Sequence, residues 1–290
     1  MQVTAPFPVF DLSSDVAVVV MACAGRSHVG DFASHERPRP YFSAKQLAWA
    51  SDPERVCPYC GSAEPLGGEE HVLSVTLGNW FWVIPPNVVC GRCNNGVLSM
   101  LDTKLQQHPF IQLLRTLNKI PGRSGQPPAM GASNLSMRRD EAGALHIETN
   151  HPRHVKQDAE TVTSTAKWVN FGPPQRRLTA RGLLKVGLGI LWLARGPAET
   201  MRSHYDHVRD AIHETGFVPL RFGFDNSSLP SHALQIQAIR MEGQEGFRVN
   251  LDYSGTQLWA ETAGYPDQAS PEFLALEIDV EFAGLTVDNA

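Results

Sequence analysis

The chain has 290 residues, 42% of them apolar and 19% charged, and carries a net charge of −5. That length and composition exclude a disordered or fibrous chain and leave room for one large domain or two modest ones. The acidity is uneven: Arg115 to Lys185 holds twelve Lys/Arg against five Asp/Glu, leaving −12 on the rest, so a local basic face could still track phosphates.

Taken in order, the chain opens with Pro-containing extended sequence. The run from Val16 to Met21 is β-branched, has no polar break, and reads as a buried strand. The apolar stretch Val16 to Ala24 is nine residues long, too short for a bilayer, which needs about 20. The N-terminus has no basic region, so the expectation is a cytoplasmic protein with no membrane partner. Arg26 to Pro40 is polar, with His28 and His35, and reads as a loop. Tyr41 to Ala50 predicts a short helix opened by Ser43.

Apolar residues at Val97, Leu98, Leu101, Leu105, Phe110, Leu113, Leu114 and Leu117 predict one helix, or two with a break near His108-Pro109. Gly122 to Gly131 is rich in Gly and Pro and marks a boundary. Leu135 to Val169 alternates weakly. From Thr179 the pattern Leu183, Leu184, Leu188, Leu191, Trp192 predicts a helix apolar around most of its surface, hence central to a core. A second helix, Glu199 to Glu214, is ended by Gly216. Alternation at 234–241, 247–253 and 258–260 predicts an antiparallel meander, and Leu274 to Phe282 offers one more strand.

Chemistry concentrates between these elements, from Cys57 to Leu105. Of five cysteines, four form two Cys-x-x-Cys pairs, Cys57/Cys60 and Cys90/Cys93. Two such knuckles can turn four sulfurs toward one ion and complete a tetrahedral zinc site. That pattern suits a reduced compartment better than a disulfide framework. The fifth, Cys23, reads as a small buried hydrophobe. A thioredoxin-like role needs one pair beside a βαβ pattern, which is not evident. A site closed by four thiolates contributes folding energy but no turnover.

Between the knuckles lies Gly67-Gly68-Glu69-Glu70-His71, a turn into a strand with a carboxylate beside an imidazole. Asn94 and Asn95 follow Cys93 directly, where one of them can cap a helix. A zinc deaminase needs His-x-Glu followed by Pro-Cys-x-x-Cys. Here the order is Glu-His, and Val56 and Val89 precede the pairs, which excludes that chemistry.

The ordered set Cys57, Cys60, Glu70-His71, Leu77-Gly78, Asn87, Cys90, Cys93, Asn94, Asp102 resembles the zinc-bearing ββα-metal finger of HNH endonucleases over about fifty residues. Ser74 stands where many members have proline, and Asn94 where the third signature position is often histidine. The resemblance implies a structural Zn²⁺ on Cys57, Cys60, Cys90 and Cys93. It also implies His71 as general base, Glu70 and Asn94 holding a catalytic Mg²⁺ or Mn²⁺, and Asn87 orienting the His71 loop. Arg92, between the second pair, could touch a phosphate or simply be solvated.

The expected architecture is α+β, a ββα-metal finger embedded in a larger protein with a C-terminal helical pair and antiparallel meander. Its segments are a strand-containing region (1–50), a nuclease domain (51–121), a basic connector (122–178) and a C-terminal α+β domain (179–290). The expected function is metal-dependent hydrolysis of phosphodiesters, in DNA first, and the competing reading is a zinc-stabilised nucleic-acid-binding module without catalysis. From Glu199 onward fifteen Asp/Glu face five Arg, so this part suits self-association or a protein partner rather than a phosphate backbone.

Overall fold

The computed structural model describes residues 18–23, 42–64, 67–77, 79, 82–117, 120, 128–131, 135–139, 145–149, 155–157, 161–168, 173–216, 218–226, 233–241, 246–253, 256–262 and 276–283. The side chain of Cys23 and the loop carrying His28 and His35 lie outside the described residues. The fold is α+β, and among the described residues every sheet is antiparallel.

In chain order the strands are β1 (Val18–Cys23), β2 (Glu70–His71), β3 (Val83–Ile84), β4 (Met130–Gly131), β5 (Leu135–Arg139), β6 (Leu145–Thr149), β7 (Val155–Gln157), β8 (Thr161–Trp168), β9 (Leu220–Asn226), β10 (Ala233–Met241), β11 (Gly246–Tyr253), β12 (Thr256–Thr262) and β13 (Leu276–Ala283). The helices are α1 (Ala44–Ala50), α2 (Ser99–Gln106), α3 (Pro109–Leu117), α4 (Pro173–Arg195), α5 (Pro197–Thr200) and α6 (Asp206–His213).

The chain divides into two compact units, Met1–Gln106 with Arg177–Gln268, and Gln107–Arg176 with Ala269–Ala290. Composition placed a boundary at the Gly/Pro-rich stretch 122–131. The division at Gln106/Gln107 instead falls between two helices, where the expected break at His108-Pro109 occurs.

In the first unit five strands form one antiparallel sheet in the order β1-β10-β11-β12-β9. The predicted meander is its centre, with Ile236 opposite Leu251 and Leu251 opposite Leu258. The early β-branched run pairs along one edge, Val20 opposite Ile236. One face of this sheet, lined by Ile236, Ala238, Phe247, Val249, Leu251, Leu258 and Ala260, is buried.

Helix α4 organises this unit, and its glycines explain how. A Cβ at Gly187 would sit 2.2 Å from Val249 Cγ2, so the helix lies directly on the sheet. A Cβ at Gly189 would sit 2.7 Å from the Tyr59 hydroxyl and 2.9 Å from Val72 Cγ2, so the cysteine-bearing segment packs on another face. At its C-terminal end Trp192 meets Trp49 of α1 edge-on, with centroids 5.6 Å apart. Helix α1 is capped as its sequence predicts: Ser43 Oγ accepts from Gln46 N, and Gln46 reciprocates to Ser43 N. The helix expected over 199–214 is broken into α5, a tight turn at Ser203–Tyr205, and α6, which ends on Glu214 in the left-handed region (φ 56°) rather than at Gly216.

The second unit holds α3 and two small sheets, ordered β4-β5-β6 and β13-β8-β7. The late strand thus pairs with β8 from the weakly alternating middle of the chain, not with the meander. Arg139 of β5 donates to the carbonyls of Thr116 (2.9 Å) and Leu117 (2.9 Å), closing the C-terminal end of α3. Among the described residues no helix is long and apolar enough to cross a membrane.

Candidate metal centre and the adjoining Glu-His site

The two knuckles close by backbone geometry. Gly61, at φ 69°, takes a conformation that favours glycine, and its N–H donates to the Cys57 carbonyl (2.8 Å) while Cys57 N donates to Ser62 O (2.9 Å). In the second knuckle Cys93 N–H points at Cys90 Sγ (3.4 Å). All four ligand sulfurs lie within 4.8 Å of one another. A tetrahedron with metal–sulfur bonds of about 2.3 Å has edges of about 3.8 Å, and the Cys60–Cys90 sulfurs are 3.7 Å apart. That separation is far beyond a disulfide bond, and all four thiols are reduced. Three of the four are buried, and the hydrogen bond between Cys57 and Cys93 lowers the Cys57 thiol while it raises that of Cys93, so the two share one proton. Soft donors and their spacing fit a metal ion of the zinc type.

Two cationic or polar groups border the sulfurs. His213 Nε2, from the last turn of α6, lies 3.7 Å from Cys93 Sγ, and Arg92, whose guanidinium is strengthened by Cys60, also pairs with Glu64 at 3.6 Å.

The same segment carries the Glu-His pair. Strands β2 and β3 form a two-residue hairpin, Glu70 opposite Ile84 and His71 opposite Val83. Its loop is held by the buried Asn79, whose amide donates to Leu73 O (2.8 Å) and Trp82 O (3.1 Å) and accepts from Trp82 N (2.8 Å). After Cys90 the chain turns helical, and a wide turn over Cys93–Leu98, kinked at Gly96, leads into α2.

Asn94 sits inside the first turn, since its N–H already donates to Cys90 O (3.0 Å). Neither asparagine therefore caps the helix: the cap position falls earlier in the chain, at Arg92, where no side chain bonds the helix. The Asn94 amide instead donates to the Glu69 carbonyl (3.2 Å), tying the helix start to the residue before the Glu-His pair. Asn87 takes the left-handed region (φ 65°), donates its N–H to Gly67 O (2.9 Å) and accepts from Arg55 Nε (2.7 Å) through its carbonyl, so its backbone shapes the turn before the second knuckle.

Glu70 and His71 diverge as neighbours on a strand must. Glu70 is buried and His71 half-buried. The Glu70 carboxylate meets Lys185 Nζ at 2.6 Å, and the same ammonium lies 2.9 and 3.1 Å from the Asp102 oxygens. It also donates to His71 O (2.7 Å) and Val72 O (3.0 Å). Lys185 is wholly buried. Desolvation alone would lower its pKa, but Asp102 and Glu70 outweigh it and the net shift is upward, so the ammonium stays charged. Burial pushes the Glu70 carboxyl up, with Lys185 opposing.

In the sequence Lys185 counts only as one charge at the end of the basic segment. Its signal was a single lysine inside an apolar helix, because lysine is almost never fully buried unless paired. Gly182 and Gly189 lie on the same face of α4 by helical spacing, and Gly182 approaches the Leu101 carbonyl of α2.

Fold and site together define an α+β protein with a four-cysteine candidate metal centre and an adjoining Glu-Lys-Asp cluster around the buried Lys185. No protein-family model, curated protein or solved structure matches the chain.

Proposed function

We propose that this protein is a metal-dependent endonuclease of the HNH type, hydrolysing phosphodiester bonds in DNA, with a structural zinc on Cys57, Cys60, Cys90 and Cys93. The observation that carries the reading is the tie between helix and hairpin: the cysteine cluster and the Asn94–Glu69 hydrogen bond bring Asn94 beside the strand that bears Glu70 and His71. In this reading the closed sulfur site supplies folding energy and the open oxygen-nitrogen site supplies chemistry. His71, on the half-exposed side of β2, takes the proton from the attacking water, a task suited to a group titrating near neutrality. Asn94 is the ligand offered to Mg²⁺ or Mn²⁺, with Asn87 shaping the turn that feeds the hairpin, and Glu70 joins it only when its carboxylate leaves Lys185. When bound, that ion would stabilise charge on the phosphorane and the departing 3′ oxygen.

Incubation of zinc-loaded protein with supercoiled plasmid tests this. Nicking is expected with Mg²⁺ or Mn²⁺ and not with EDTA-treated buffer. His71→Ala should remove it, by at least a hundredfold given the usual worth of a general base, while zinc content stays at one per chain. Undiminished cleavage by His71→Ala would overturn the role assigned to His71.

One observation favours a second reading, a zinc-stabilised nucleic-acid-binding module without catalysis. The Glu70 carboxylate is already committed to an internal cation at 2.6 Å. Salt-sensitive DNA binding without nicking under any divalent ion would select it.

A further inference from the structure

We propose that Lys185 is a positioning residue for His71, delivered to the hairpin by a helix 114 positions away in the chain. Its ammonium has three protons to donate, and four groups surround it: the carboxylates of Glu70 and Asp102 and the carbonyls of His71 and Val72. One carbonyl is that of His71 itself and the other that of Val72, the next residue, so the lysine fixes the backbone from which the His71 ring projects. The Glu70 contact at 2.6 Å turns that side chain inward and sets a negative charge directly on the buried ammonium, with Asp102 a second one beside it. Helix geometry makes the grip stiff, because Gly189, one turn along from Lys185, leaves no room between α4 and Tyr59 or Val72.

The catalytic consequence rests on the reading of His71 as the base; the positioning itself does not. The experiment therefore reads both, on the full zinc-loaded chain. Lys185→Met keeps a side chain of similar length but has no donor. In this variant the imidazole NMR signals of His71 should shift and broaden, while those of His207, whose ring bonds Thr262 at 2.9 Å, should stay in place. Asp102→Asn leaves the bonds from the ammonium to both carbonyls available, and should leave the His71 signals where they are. On plasmid, Lys185→Met should lower kcat at least tenfold with KM little changed. Should Lys185→Met fail to fold, Lys185→Gln, with its polar head one bond short of the carbonyls, carries the same test.

Unmoved His71 signals in the folded variant would overturn the proposal, as would equal movement of His207, which means general loosening. Wild-type protein that never nicks plasmid, with His71 moving as expected, would remove the nuclease reading and leave the positioning role. Nicking with an unmoved His71 would do the reverse.

Discussion

At the scale of single residues, burial decides what each titratable group does. Two histidines show the contrast. His71 is half-buried on its strand, whereas His108, which opens α3, is buried to 2% exposure and its pKa is lowered to about 3 by desolvation. The unfolded chain would bind a proton there near pH 6.5 and the folded chain only near 3. Between those values the unfolded state carries more protons, so stability falls as pH falls, by about 1.4 kcal/mol per pH unit for one group. Unfolding free energies measured from pH 7 down to pH 4 should show this slope, and His108→Leu should flatten it. An unchanged slope in the variant would exclude His108 as the source.

Secondary-structure elements show how α4 can be both long and central. Its glycines would be poor helix formers by propensity, costing up to about 1 kcal/mol each relative to alanine. Replacement by alanine at an open site would therefore stabilise. At Gly189 the new methyl meets the Tyr59 hydroxyl and Val72 at under 3 Å, and overpacking costs about 1–3 kcal/mol, so the net effect should be destabilising. Urea unfolding of Gly189→Ala measures the sign directly. A more stable variant would mean that the helix can move away from the hairpin.

Much at this scale was legible beforehand. The Ser43 cap, the break before Pro109, the apolar α4 and the meander all follow from local patterns of period 3.6 or 2. The four cysteines announced their cluster by spacing alone. What local pattern could not show were pairings at long separation: β13 with β8, β1 with β10, and Lys185 with Glu70 and Asp102. These depend on charge and surface meeting in space, and the sequence records only that each partner exists. The broken helix at 197–213 escaped for a different reason, since three short turns in succession keep nearly the same apolar spacing as one helix.

For the whole molecule, charge counted along the chain differs from charge displayed on it. The segment Arg115 to Lys185 reads as +7, yet several of its cations serve the interior. Arg115 is buried, Arg139 closes α3, and Arg181 donates to Ile212 O (2.8 Å) and pairs with Glu214 (2.9 Å). Arg177 pairs with the same Glu214 at 3.5 Å. The segment also crosses from one compact unit to the other at Arg177. Among the described residues, these four cations are spent on partners within the chain or on burial. Binding to DNA at rising salt tests the point: Arg181→Gln should lower the melting temperature but leave the slope of log K against log salt unchanged. A slope reduced by about one would mean that Arg181 reaches a phosphate after all.

The placement of Lys185 also sets an order of events during synthesis. Glu70 and Asp102 leave the ribosome well before the lysine that neutralises them, with 114 positions between His71 and Lys185. At about 5–20 residues per second, that delay is roughly 6–23 s. Throughout it the hairpin can gather its cysteines around a metal, yet its two carboxylates must remain hydrated and its inner face uncovered. All four cysteines are made before α4, so the helix closes over a segment whose sulfurs are already available to one another. A nascent chain stalled before residue 185 lacks the cation that pairs with Glu70 and Asp102, so the contacts that fix the Glu-His strand form only once α4 has been made.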